Sequence, residues 1–195
     1  NLAHLTGGFG VDTFFFSMTF NTVNYIEPNE DLLAIAKHNH SLLGASNIIY
    51  HQQSAEDFLQ ETSSTFDVIY LDHSRRVDGR KAVKLGDYEP NVLTLLPQLL
   101  NAANHVLIKT SPLLDIQHTI ESLRSVIKVF VIGVENECKE LLFHCATLQT
   151  PAEPEVTAVD LKNDGSVKDA ISFRFSEERN TAVSFSKPRN YLYEP

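Results

Sequence analysis

Short apolar runs alternate along the chain with longer runs that are apolar on one side only, which predicts strands interleaved with helices. Leu2 to Leu5 reads as the stub of a strand, Gly7, Gly8 and Gly10 as a turn, and Val11 to Met18 as the start of a helix. Val23 to Ile26 is a second strand, stopped by Glu27 and Pro28 because proline cannot donate to a sheet ladder. Asp31 to Leu43 is an amphipathic helix with Gly44 as its stop, Asn47 to His51 a third strand, and Ala55 to Leu59 a short helical turn. Phe66 to Leu71 is a near-continuous apolar strand ending at Asp72, the kind found in sheets covered on both faces. A helix over about Asn91 to Ala103, a fifth strand from His105 to Lys109, and a helix over about Ile116 to Val126 complete the alternation. Strands separated by helices pair in parallel through right-handed crossovers.

The rhythm then changes. Lys128 to Val134 and Leu141 to Thr147 are strands joined only by the polar link Glu135 to Glu140, which predicts a hairpin and an antiparallel last strand. TPAEPE is a proline-bearing acidic linker, after which Val156 to Asp160, Ile171 to Ser176 and Ala182 to Phe185 read as short strands, with Asn163, Asp164 and Gly165 as a turn. The expected organisation is an α/β unit over residues 1–150 followed by a linker and the beginning of a small β-rich module over 151–195, with material missing at both ends.

Composition narrows the class. With 195 residues and 43% hydrophobic content the chain can bury one sizeable core. It contains no run of about 18 apolar residues, so no membrane association is expected and a cytoplasmic location is. Cys138 and Cys145 are too few for a disulfide scaffold and read as reduced core thiols. A formal charge of -9 argues against indiscriminate binding to phosphate backbones, and nothing in the sequence points to DNA specificity. Local charge differs: Arg75, Arg76, Arg80, Lys81 and Lys84 fall within ten residues and form a basic run, either a solvated loop or a phosphate contact.

The candidate chemistry lies at strand ends. AHLTGGFGVD joins a strand to a helix, and glycines there let a backbone approach a ligand. A nicotinamide fingerprint would need a third glycine where Thr13 stands, so that spacing fits poorly. Glu27, 17 residues after Gly10 at the tip of the second strand, is placed to accept both hydroxyls of a ribose. Asp72, at the end of the fourth strand, could accept a hydrogen bond from an exocyclic amine, with Arg75 and Arg76 on phosphate; alternatively it caps the following loop. His38 and His40 read as ordinary surface residues.

Taken together, LTGGFGVDTFFFS, YIEPN, YLDHSRR, GRKAVKLGDYEPN, LIKTSPLLDI and ENECKELLF resemble the bacterial class I methyltransferases that carry a THUMP-like, ferredoxin-like region after the catalytic domain. The resemblance covers about residues 1–150. It implies a Rossmann-like, seven-stranded sheet in the order 3-2-1-4-5-7-6, with the last strand antiparallel, S-adenosylmethionine as cofactor and RNA as the expected acceptor. The cofactor-binding residues it implies are His4, Thr6, Gly7, Gly8, Gly10, Glu27, Pro28, Ser54, Ala55 and Asp72. The glycines would approach the methionine part, Glu27 the ribose, and Ser54 with Ala55 the adenine edge. Asp72 and His73 would line the catalytic pocket, and Arg75, Arg76, Arg80, Lys81 and Lys109 would meet the substrate. Methyl transfer by in-line displacement needs alignment more than acid or base strength.

Two positions depart from the family's pattern: His4 replaces an aspartate and His73 a proline. A neutral imidazole supplies no fixed negative charge near the methionine ammonium, and losing the proline frees a backbone N–H after Asp72. An attenuated relative acting as an RNA-binding or cofactor-sensing module is therefore the alternative to an active enzyme. His4 and His73 beside Asp72 would also be competent zinc or iron ligands, although no metal site is assigned.

Overall fold

The computed structural model describes residues 1–72, 76–77, 80–81, 85–147 and 152–182. The alternation read from the sequence is present: β1 (Leu2–His4), α1 (Val11–Ser17), β2 (Val23–Ile26), α2 (Glu30–Leu42), β3 (Ile48–His51), α3 (Ala55–Glu61) and β4 (Phe66–Asp72) follow one another. The two-residue strands β5 (Arg76–Val77) and β6 (Arg80–Lys81) pair with each other, and a 3-10 turn (Leu85–Asp87) leads into α4 (Val92–Ala102). Then come β7 (Ala103–Thr110), α5 (Ile116–Leu123), β8 (Val126–Val134), β9 (Glu137–Cys145), β10 (Glu155–Leu161), β11 (Val167–Phe173) and α6 (Phe175–Asn180). Among the described residues no helix is long and apolar enough to cross a membrane.

Nine strands form one sheet in the order β11-β10-β8-β9-β7-β4-β1-β2-β3. Its β3-β2-β1-β4-β7-β9-β8 portion is the expected 3-2-1-4-5-7-6, with β9 antiparallel to both neighbours. The count is nine rather than seven because the tail joins the same sheet: β10 pairs in parallel with β8, and β11 pairs antiparallel with β10. The core lies on both faces of the central strands, where Leu2, Tyr25, Ile69, Leu71, Ile108 and Phe143 are almost wholly buried. After β1 the chain builds outward through β2 and β3, then returns to place β4 on the other side of β1. This reversal leaves a crevice at the carboxyl ends of β1 and β4.

The largest departures from the periodicity fall at three elements, α5, β9 and β11. Helix α5 stops at Leu123 rather than near Val126, since Arg124 turns left-handed (φ 57°) and Ser125 is already tied to β9 through its carbonyl, which accepts from Ala146 N–H. The polar link expected over six residues is a two-residue turn, Glu135–Asn136, both at positive φ, so β9 starts at Glu137. β10 supports that turn: Leu161 carbonyl accepts from Glu135 N–H, and Asp160 Oδ1 accepts from Asn136 N–H. The strand expected over Ile171 to Ser176 ends at Phe173 and gives way to α6; its start at Val167 was hidden because β11 is a solvent-exposed edge. From the strand expected over Ala182 to Phe185, residues from 183 onward lie outside the described set. Of the two cysteines, Cys145 is buried, but Cys138 is exposed rather than a core thiol.

Candidate functional site

The crevice is a cavity of about 640 Å³, within the range typical of small-molecule sites. Leu5, Thr6 and Gly8 from the β1–α1 turn, Glu27 and Pro28 after β2, Ser54, Ala55 and Glu56 at the start of α3, Asp72 at the end of β4, and Glu89 to Asn91 before α4 line it. Seven of the ten cofactor-binding residues expected from the sequence are therefore on its wall: Thr6, Gly8, Glu27, Pro28, Ser54, Ala55 and Asp72. The other three, His4, Gly7 and Gly10, are not.

The glycines serve two purposes. At Gly7 a Cβ would sit 2.3 Å from the ring of Tyr25, and at Gly10 (φ 78°) it would sit 2.6 Å from the ring of His40, so both are glycine because protein packs against them. All three were expected to approach a ligand. Only Gly8 faces the cavity; a Cβ there would meet no heavy atom nearer than the Thr6 carbonyl at 3.9 Å. His40 is likewise not a surface residue: it is buried, its Nε2 bonded to the Gly10 carbonyl at 2.7 Å and its Nδ1 to the Tyr50 hydroxyl at 3.0 Å.

Glu27 ties the turn to β2. Its Oε2 accepts from Gly8 N–H at 2.8 Å and its Oε1 from Asn29 N–H at 2.9 Å. Glu27 is 8% exposed and lies on the cavity wall. With about four acceptor positions on a carboxylate and two in use, it retains capacity for two hydroxyl donors. Ser54 lines the cavity, but its hydroxyl is already occupied in capping α3, accepting from Asp57 N–H at 3.0 Å. Thr6 accepts from Asp72 N–H at 2.7 Å, which locks the ends of β1 and β4 together.

His4 lies beneath the turn rather than on it. Its Nδ1 is 2.7 Å from the Thr13 hydroxyl, and its ring packs edge-on against Phe16 and Tyr70. Burial lowers its pKa from the ordinary 6.5 to about 4, with Asp12 only partly offsetting the effect. Between those two pH values the unfolded chain takes up a proton that the folded chain refuses, so stability falls as pH falls. We expect a loss of about 3 kcal/mol between pH 7 and pH 4 from this group. Denaturant melts at both pH values should show that loss shrinking in His4→Gln; an unchanged pH dependence would assign it elsewhere.

The resemblance placed Lys109 among the residues that would meet the substrate. The register places it directly opposite Asp72 on the neighbouring strand, and its Nζ is 2.8 Å from Asp72, 3.1 Å from Asp12 and 3.7 Å from Glu140. Tyr70 donates its hydroxyl to Asp12 at 2.8 Å. Burial opposes the charge on Lys109, yet hydrogen bonding to Asp72 and the field of Asp12 hold its pKa above the ordinary value. The Glu140 pKa is raised by burial despite Lys109, and that of Asp12 is lowered, its burial outweighed by Tyr70 and Lys109. The sequence reading missed Asp12 and Glu140. Asp12 stood in the first turn after the glycines, and Glu140 on the same strand face as Leu142, which pairs with Lys109.

His73, Arg75 and Lys84 lie outside the described residues, and of Arg76, Arg80 and Lys81 only the backbone pairing is described. Among the described residues no three His, Cys, Asp or Glu side chains are placed so that they could hold a metal ion.

No protein-family model and no curated protein matches the chain. Solved structures do. A candidate methyltransferase of Porphyromonas gingivalis W83 superposes with a TM-score of 0.80 at 26% identity, over 96% of this chain and 47% of that one. The chain thus spans about half the length of that protein. An rRNA methylase of Streptococcus thermophilus (TM-score 0.56, 15% identity, 76% of this chain and 87% of that one) shares the fold. So does a candidate methyltransferase of Streptococcus mutans solved in complex with S-adenosylhomocysteine (TM-score 0.52, 12% identity, 74% and 86%). The fold is the Rossmann-like fold of the class I methyltransferases, extended by two strands.

Proposed function

We propose that the chain is the catalytic core of an S-adenosylmethionine-dependent methyltransferase acting on RNA in the cytoplasm, with residues 1–150 as the catalytic unit and 151–195 as the beginning of a further region. The observation that carries this reading is Glu27, which faces a ligand-sized cavity at the topological switch point with spare acceptor capacity, beside a glycine that has no side chain to intrude. That arrangement fits an adenosyl ligand. Glu27 would hold the ribose hydroxyls, Gly8 and Thr6 the methionine part, and Pro28, Ser54 and Ala55 the adenine.

When bound, the cofactor supplies an electrophilic methyl group on a sulfonium. The chain's own contribution is alignment. Asp72, fixed through its backbone N–H to Thr6, offers a carboxylate at the cavity wall that can accept a hydrogen bond from an acceptor N–H, orienting the nitrogen lone pair toward the methyl carbon. Support for RNA is twofold: the basic run Arg75, Arg76, Arg80, Lys81 and Lys84 follows Asp72 in sequence, and one structural neighbour is an rRNA methylase.

Calorimetric titration with S-adenosylmethionine, S-adenosylhomocysteine and NAD tests the reading. Binding of the first two and no heat from NAD is the expected result; binding of NAD alone would overturn it in favour of a nicotinamide site.

A further inference from the structure

Lys109 sits within reach of three carboxylates from three different elements: Asp12 on α1, Asp72 on β4 and Glu140 on β9. Its side chain is 16% exposed, and its ammonium also lies 5.9 Å from the centre of the Tyr70 ring. A phosphate-binding lysine needs free donors aimed at solvent. Here the ammonium is within hydrogen-bond distance of Asp72 and Asp12, a third carboxylate, Glu140, stands 3.7 Å away, and the surrounding charge is net negative, which disfavours a phosphate. The same geometry suits a different task. Asp72, which the functional reading places at the reacting end of the cavity, has a half-exposed side chain whose Oδ2 is gripped at 2.8 Å by a lysine that is itself immobilised by Asp12 and Glu140.

The geometry points to Lys109 as a positioning residue that holds the Asp72 carboxylate in place at the cavity wall and ties it through Asp12 to the helix following the glycine turn. The inference rests on the methyltransferase reading. It assigns Lys109 to the architecture of the acceptor pocket and removes it from the RNA-contacting set. The charged and titratable groups facing it are Asp12 and Tyr70 at one side, Asp72 at the second, Glu140 at the third, and His4 below. Carboxylates crowded in this way hold protons up to higher pH once the cation is lost. Burial has already moved the Glu140 pKa in that direction.

The test compares the 195-residue chain with Lys109→Met and Lys109→Arg, using S-adenosylhomocysteine binding by calorimetry and transfer of labelled methyl groups from S-adenosylmethionine to total RNA. The methionine variant is expected to bind S-adenosylhomocysteine within about threefold of the parent. Its kcat should fall by roughly thirtyfold, at little cost to KM for RNA, as expected when a transition-state contact rather than a binding contact is lost. The acidic limb of its pH–rate profile should move upward, and arginine should recover most of the rate. A raised KM with unchanged kcat and a weaker salt dependence would make Lys109 a phosphate contact and overturn the inference. A parent that binds no S-adenosylhomocysteine or transfers no methyl group would defeat the functional reading separately. In that event carboxyl-carbon NMR decides the matter: the Asp72 resonance should move in the methionine variant and return with arginine, and an unmoved resonance would overturn the role.

Discussion

Glu27→Ala should weaken S-adenosylhomocysteine binding by about a hundredfold or more, the largest effect of any single change at the site. Hydrogen bonds to a charged group contribute about 1.5–3 kcal/mol each, and a ribose would engage two. The variant also loses the acceptors for Gly8 and Asn29 N–H, so the turn loosens as the ligand contact disappears. The two effects separate by experiment: affinity is read by calorimetry and stability by thermal melting without ligand. A hundredfold loss of affinity with a melting point lowered by only a few degrees is the expected pair of results. A stability loss with unchanged affinity would reduce Glu27 to a brace for the turn.

Adding a single methyl group at the turn should be nearly as damaging, to stability rather than binding. In Gly7→Ala the new Cβ would lie 2.3 Å from a ring carbon of Tyr25, a residue with no exposed surface. Overpacking of this kind costs about 1–3 kcal/mol. In Gly10→Ala the contact with His40 at 2.6 Å adds to a left-handed backbone at φ 78°, which costs a further 1–2 kcal/mol or so for a residue with a Cβ. Gly8→Ala is the control: it shares the left-handed backbone (φ 55°) but has open space around it, so its loss should be the smallest of the three. Denaturant unfolding ranks them, and equal losses at all three positions would mean that packing does not decide the turn.

The parallel sheet with its antiparallel last strand and the placement of the cavity were legible from alternation and from strand-end chemistry, whereas the strand order came only from the resemblance to a known family. A parallel sheet with a reversal puts its ligand site where Thr6, Glu27 and Asp72 fall, and those positions can be counted along the chain. What stayed hidden depends on contacts far apart in sequence. Gly7 and Gly10 looked like ligand contacts because nothing near them in sequence reveals that Tyr25 and His40 lie behind them. His40 looked like a surface residue because its partners, the Gly10 carbonyl and the Tyr50 hydroxyl, come from other elements. Lys109 stood among the substrate contacts only by the resemblance, and its three carboxylate partners are assembled by sheet register and the position of α1, which the sequence does not display. That β10 and β11 extend the same sheet was hidden because pairing of β10 with β8 cannot be inferred from periodicity and the edge strand β11 is polar in pattern.

An adenosyl ligand seated in the crevice between Glu27 and Asp72 would be read out directly by amide NMR during titration with S-adenosylhomocysteine. The amides of Gly8, Ala55 and Asp72 should shift together and saturate at one concentration, while those of β10 and β11 stay still. Saturable shifts centred away from the β1–α1 turn, or no shifts at all, would contradict it.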